Sequence, residues 1–193
     1  DFVPQPHTQT TETIDTLNKA QTTLKIGRRL FGRAHEDYSK VLFMNTVLGG
    51  YFGSRLMKNI RENKGFTYGI YSSVDAWKKD GFMYISADVA NKNVEATIRE
   101  IYNEIDKLKS DKLDRYEFEM VKNYMLGQLL HLIDGPFETA QLIKSIYTKE
   151  IEIEHFKAHV SALKAMQAED VLEMANKYLD EKTFTTVLAG KIK

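Results

Sequence analysis

The chain has 193 residues, 42% of them apolar and 28% charged, and its 27 basic and 27 acidic side chains leave no formal net charge. A chain of this length buries roughly 70% of its unfolded surface as one domain without covalent staples, and its usage is globular rather than disordered. The charge balance argues against a nucleic-acid partner, and the absence of cysteine removes disulfides, thiol nucleophiles and thiolate metal sites while leaving the compartment open.

The sequence starts at Asp1 rather than Met, which we read as a processed chain or an excised piece, and DFVPQPHTQTTETID does not resemble a secretory leader. Residues 1–20 hold two of the three prolines and little periodicity, and are expected to be a linker or arm. Residues 21–193 are expected to be a single domain. In TTLKIGRRLF, Leu24 and Ile26 alternate with polar neighbours and predict a first strand. HEDYSKVLFMNTVLGG then spaces Tyr38, Val41, Leu42 and Val47 as a helix, with Gly49–Gly50 to stop it. A short helical piece, SRLMKNIRE, leads into a strand at Phe66–Trp77. Another strand at Gly81–Ala90 follows at hairpin separation.

From Asn93 the period changes to 3.6, with Val94, Ile98, Ile101, Tyr102, Ile105 and Leu108 forming one apolar stripe. Lys112–Leu132 is a second long helix, broken by DGP, and Pro136 suits the first position of the next. Further helices are expected over Phe137–Tyr147, Ile153–Leu163 and Glu169–Leu179, and TFTTVLAG closes the chain as a strand. This order predicts an α+β fold: a largely antiparallel sheet with helices packed on one face. No apolar run approaches the length of a membrane span.

Three groups of residues are candidates for chemistry. His155 and His159 are four apart, but the positions where H-E-x-x-H or H-x-x-E-H requires a glutamate hold Phe156 and Ala158. We therefore expect no metal there and read the pair as a surface helix face, with His7, His35 and His131 structural. GGYFGSRL lacks the Gly-Lys-Ser/Thr ending of a phosphate loop and is read as a helix stop. Its functional version sets Gly49, Gly50, Gly53 and Ser54 beside a bound peptide. The third group is Arg61 and Tyr68, seven apart across a turn that contains Gly65. A guanidinium fork and a phenol both donate hydrogen bonds to a carbonyl or to the oxyanion formed when water attacks it. Neither is a nucleophile or a metal ligand. The plainer reading of the two is an arginine at a helix end and a tyrosine half-buried in a strand.

LGGYFGSRLMKNIRENKGFTYGIYSS resembles the signature of the non-zinc half of the pitrilysin-type metallopeptidases, the family of insulin-degrading enzyme and the mitochondrial processing peptidase. The likeness runs from about Leu24 to the end of the chain. It implies one half-domain of a clam-shell zinc metalloendopeptidase, lacking the zinc motif and inactive by itself. The resemblance implies that Arg61 and Tyr68 stabilise the tetrahedral intermediate, that peptide binds as an added strand on a sheet edge, and that no cofactor is held here. Zinc and the general base are expected in a partner half or subunit carrying H-x-x-E-H. The same resemblance admits a non-catalytic scaffold or assembly subunit of this fold.

Overall fold

The computed structural model describes residues 10–15, 20–148 and 153–190. His7 and the remaining arm positions, 1–9 and 16–19, lie outside the described residues. Among the described residues five strands, β1 (Thr10–Asp15), β2 (Gln21–Phe31), β3 (Thr67–Ala76), β4 (Asp80–Ala90) and β5 (Thr185–Gly190), form one sheet in the order β1-β5-β2-β4-β3. The pairs β5-β2, β2-β4 and β4-β3 are antiparallel, whereas β1 runs parallel to β5. Thr10–Asp15, inside the stretch expected as an arm, is thus the sheet's outermost strand beside β5.

Among the described residues six α-helices accompany the sheet: α1 (Tyr38–Asn45), α2 (Val94–Ser110), α3 (Arg115–His131), α4 (Pro136–Thr148), α5 (Ile153–Ala165) and α6 (Ala168–Tyr178). The two-residue repeat of the strands divides the sheet into a helix-bearing face and an open one. Leu24 and Ile26 of β2, Met83 and Ile85 of β4, and Ile70 of β3 point to the helix side and are fully buried there. Ile101 and Ile105 of α2, with Val171 and Met174 of α6, meet them from above. Tyr71, Tyr84, Phe82 and Trp77 instead form an aromatic file with ring centroids 5.9, 5.6 and 5.3 Å apart. Tyr71, Tyr84 and Phe82 of this file stand on the open face. Burial lifts the Tyr84 hydroxyl above its ordinary pKa.

Helix ends follow local chemistry. Asp114 caps α3 by accepting from Glu117 N–H (2.8 Å), and Gln167 caps α6 with its backbone N–H returned to Asp170 (2.8 Å). Among the described residues no helix is long and apolar enough to cross a membrane.

A buried carboxylate joins the start of α1 to the end of α6. Asp37 Oδ2 accepts from Lys177 Nζ and from Tyr178 Oη, both at 2.6 Å, while His35 stacks on Phe31 with centroids 3.8 Å apart. Burial alone would raise the Asp37 carboxyl, but the bonds from Lys177 and Tyr178 outweigh it and hold the group below the usual carboxylate range. A carboxyl depressed in the folded state contributes stability above its unfolded pKa of about 3.9 and loses it as pH falls through the lower folded value. Asp37→Asn is therefore expected to cost about 1–3 kcal/mol at neutral pH, read as a lower urea midpoint. It is also expected to flatten the fall in that midpoint on acidification below about pH 4. Parallel acid limbs for the two proteins would contradict this assignment.

Candidate active site

The stretch between α1 and β3 departs from regular geometry twice. Thr46–Gly50 and Met57–Asn63 are π-helical, a rare conformation that concentrates at functional sites. Gly49 explains the first of these segments. A Cβ on it would stand 2.6 Å from Ser72 Oγ, 2.7 Å from Ser72 N and 3.0 Å from Leu56 Cδ1. The end of α1 therefore lies directly on β3. Asn45 and Ser72 reinforce the contact, because Asn45 Nδ2 donates to Ser72 O (3.3 Å) and Ser72 Oγ to Asn45 O (3.1 Å).

The Arg61-bearing segment is held from two sides. Arg55 places its guanidinium fork on Glu117 of α3, Nε to Oε1 and Nη2 to Oε2, both at 2.8 Å. Asn59 Nδ2 donates to Glu100 Oε2 (2.9 Å) and to Glu104 Oε1 (2.8 Å) on α2. The amide bond keeps the Glu100 carboxyl below its ordinary pKa against the opposing effect of burial. The segment then stops at Gly65, whose φ of +63° suits glycine and whose N–H reaches back to Arg61 O (3.2 Å). Arg61 itself lies over the Phe52 ring, with its guanidinium carbon 4.8 Å from the centroid.

Tyr68 stands at a fault in the ladder. Thr67 pairs with Val89 and Ile70 with Ala87, so β3 accommodates one extra residue. Such a bulge re-aims side chains, and Tyr68 is 91% exposed rather than half-buried as a regular strand position predicts. Thr67 Oγ1 holds the irregular stretch by accepting from Gly69 N–H (3.2 Å) and lying 2.6 Å from Asp88 O. Among the described residues neither Arg61 nor Tyr68 has a side-chain hydrogen bond or ion pair.

A cleft of about 410 Å³ is walled by Gly49–Phe52 and Met57 on one side and by Gly69–Ser73 of β3 on the other; Phe52, on which Arg61 lies, and Gly69, next to Tyr68 in the chain, both line it. Gly49 and Gly50 line it. Gly53 packs under the Tyr51 ring, where a Cβ would meet Cε2 at 2.8 Å. Ser54 is 1% exposed, with its N–H on Tyr51 O (3.1 Å). Neither Gly53 nor Ser54 reaches the cleft wall. A separate hollow of about 460 Å³ on the open face, bordered by Arg29, Asp80 and Tyr84, shares no residue with it.

The histidines are elsewhere. His155 is exposed, but His159 corrects the expected surface helix face: its Nδ1 is 2.7 Å from Ser39 Oγ, and burial against α1 lowers its pKa. Among the described residues no group of three or more His, Asp or Glu side chains could hold a metal. An arginine and a phenol are hydrogen-bond donors, so the site's side chains do not fit a zinc ion. Sequence reasoning missed Phe52, Met57 and Thr67. The Tyr-Gly pair inside a strand was the available sign of the bulge.

The profile of the peptidase M16 inactive domain matches residues 1–125. The chain belongs to this family. Over 179 residues, 91% of the chain, it is 24% identical to "Probable inactive metalloprotease YmfF" of Bacillus subtilis. Over 110 residues, 57% of the chain, it is 29% identical to "Uncharacterized zinc protease YmxG" of the same organism. It spans 41% and 27% of those relatives' lengths. The crystal structure of a peptidase M16 inactive domain from Pseudomonas fluorescens superposes with a TM-score of 0.86 over 99% of this chain and 46% of that one, at 22% identity, which shows the shared fold.

Two glycines separate close packing from open space at the cleft. Gly49→Ala is expected to cost about 1–3 kcal/mol, because Ser72 and Leu56 must move to admit a methyl group. Gly69→Ala, whose Cβ would meet nothing within 4 Å, is expected to stay within about 1 kcal/mol of the parent. Chemical denaturation of the pair checks this, and equal costs would contradict the close approach.

Proposed function

We propose that this domain is the non-zinc half of a zinc metalloendopeptidase. In this reading Arg61 and Tyr68 hold the scissile carbonyl at a metal site supplied by a partner half or subunit with H-x-x-E-H. The observation that carries the reading is Tyr68, lifted on the bulge with its phenol unbonded among the described residues and next in the chain to Gly69 of the cleft, whose Phe52 carries Arg61. Both groups are donors, and neither performs the attack. Their task is electrostatic: the carbonyl oxygen gains charge as the tetrahedral intermediate forms, and donors fixed in advance stabilise that charge more than they stabilise the substrate.

Rigidity supports the assignment. The Arg55–Glu117 fork and the Asn59 bridge fix the backbone below Arg61, and Thr67 fixes the backbone beside Tyr68. Such anchoring limits the reorganisation needed during reaction. The peptide is assigned to the β3 edge as an added strand, with Gly49 and Gly50 beside it and Gly53 and Ser54 shaping the turn behind. The name of the relative YmfF, an inactive metalloprotease, favours a second reading in which this half serves assembly alone.

The two readings separate on mutation. With its zinc-bearing half present, Arg61→Ala and Tyr68→Phe are each expected to lower kcat/KM for a peptide about 100-fold, with thermal unfolding unchanged. Full activity in both variants would overturn the donor role. A stable assembly with no peptidase activity in any form would favour the assembly reading.

A further inference from the structure

We propose that Phe52 is the positioning residue of Arg61: its ring holds the guanidinium beside the cleft by attraction to the ring face and leaves the N–H donors free for a substrate carbonyl. The inference rests on the donor role of Arg61 proposed above and adds the device that aims that side chain. Phe52 is 66% exposed, so its ring is not part of the core. Arg61 lies over it, and among the described residues no other aromatic ring meets Phe52.

The turn that carries Phe52 is anchored through its neighbours. Tyr51 packs on α3, with its ring 5.0 Å from that of Tyr124 and its hydroxyl 4.0 Å from Met120 Sδ. Gly53 leaves room for the Tyr51 ring, and Ser54 N–H closes the turn on Tyr51 O (3.1 Å). The backbone on both sides of Phe52 is thereby fixed, while its own side chain stays at the surface and lines the cleft. On the facing segment, Arg55 and Asn59 fix the backbone that bears Arg61. They do not restrict the rotamers of its long side chain. Among the described residues that side chain has no hydrogen bond or ion pair, which leaves the Phe52 ring to hold it.

The chemistry of the holder matters. A carboxylate in place of the ring would also fix Arg61, but it would take two N–H bonds of the fork and neutralise the charge. A ring attracts the cation through its quadrupole and offers no oxygen acceptor. The guanidinium carries five N–H donors and stays charged at every working pH. Held by a ring, it keeps both the charge and the fork for an oxyanion. Donors aimed before the reaction need no reorganisation as that charge develops.

The test is a double-mutant cycle on the peptidase activity of this domain assembled with the zinc-bearing half proposed for it. Phe52→Leu removes the ring but keeps an apolar side chain, and it is measured alone and together with Arg61→Ala. Alone it is expected to lower kcat about 2- to 5-fold with KM unchanged, the range of an exposed cation–π contact. In the Arg61→Ala background it is expected to change nothing further. Phe52→Tyr, which keeps a ring face, is expected to recover most of the lost rate. A higher KM at unchanged kcat, or equal losses with and without Arg61, would show the ring touching the peptide itself and overturns the positioning role. No loss in Phe52→Leu where Arg61→Ala costs activity also overturns it and leaves the donor role standing. If activity is absent or independent of Arg61, the donor role fails, and the hold of Phe52 on Arg61 is decided by NMR of the chain with 15N-labelled arginine. The Arg61 Nε–Hε signal, identified by its loss in Arg61→Ala, is expected to be displaced by the ring current and to return to the position of a free arginine in Phe52→Leu. The same position in parent and Phe52→Leu overturns the hold.

Discussion

Gly49 lies so close to Ser72 that no methyl group fits between them, and the end of α1 is thereby fixed to the outer strand of the sheet. The Asn45–Ser72 exchange adds two hydrogen bonds to the same contact. Every part of the candidate site takes its place from this junction. The Gly-rich turn that follows forms one wall of the cleft, and the strand beneath forms the other. A residue that is not glycine at position 49 would separate the walls and with them the supports of Arg61 and Tyr68.

The junction also explains the π-helical segment that precedes the turn. A regular α-helix presents its backbone at a distance set by its side chains. Widening the helix beside a glycine brings the main chain onto the sheet instead, and the polar anchors then hold the widened backbone. Arg55 on Glu117 and Asn59 between Glu100 and Glu104 are partly buried and geometrically specific, unlike the exposed Lys157–Glu154 pair, which contributes little. Partly buried ion pairs stand beneath the site, Arg55 on Glu117, and at the α1–α6 junction, Lys177 on Asp37.

Much of the architecture was legible because burial imposes a period. Leu24 and Ile26 alternate since one face of β2 is covered, and the stripe from Val94 to Leu108 repeats at 3.6 since α2 lies on that face. β1 was not legible as a strand: its six residues are all exposed, so nothing in Thr10–Asp15 betrays the partner that makes it extended. The inward turn of His159 toward Ser39 likewise depends on where α1 passes, which no spacing within α5 encodes. At the site, Arg61, Tyr68 and the glycines were legible as residues in a spaced pattern. The bulge that exposes Tyr68, and the cation–π contact that places Arg61 over Phe52, arise from register and packing and were not.

The central claim is that Arg61 and Tyr68 act on the reacting carbonyl rather than on peptide binding or assembly. The direct measurement is the affinity of a tetrahedral phosphinic peptide, compared with that of an uncleaved peptide of the same sequence. It is made on this domain assembled with the zinc-bearing half proposed for it, before and after Tyr68→Phe. The account predicts that the substitution weakens the tetrahedral analogue by about 10- to 100-fold and the uncleaved peptide by far less. Equal losses for the two ligands, or no loss for either, would contradict it.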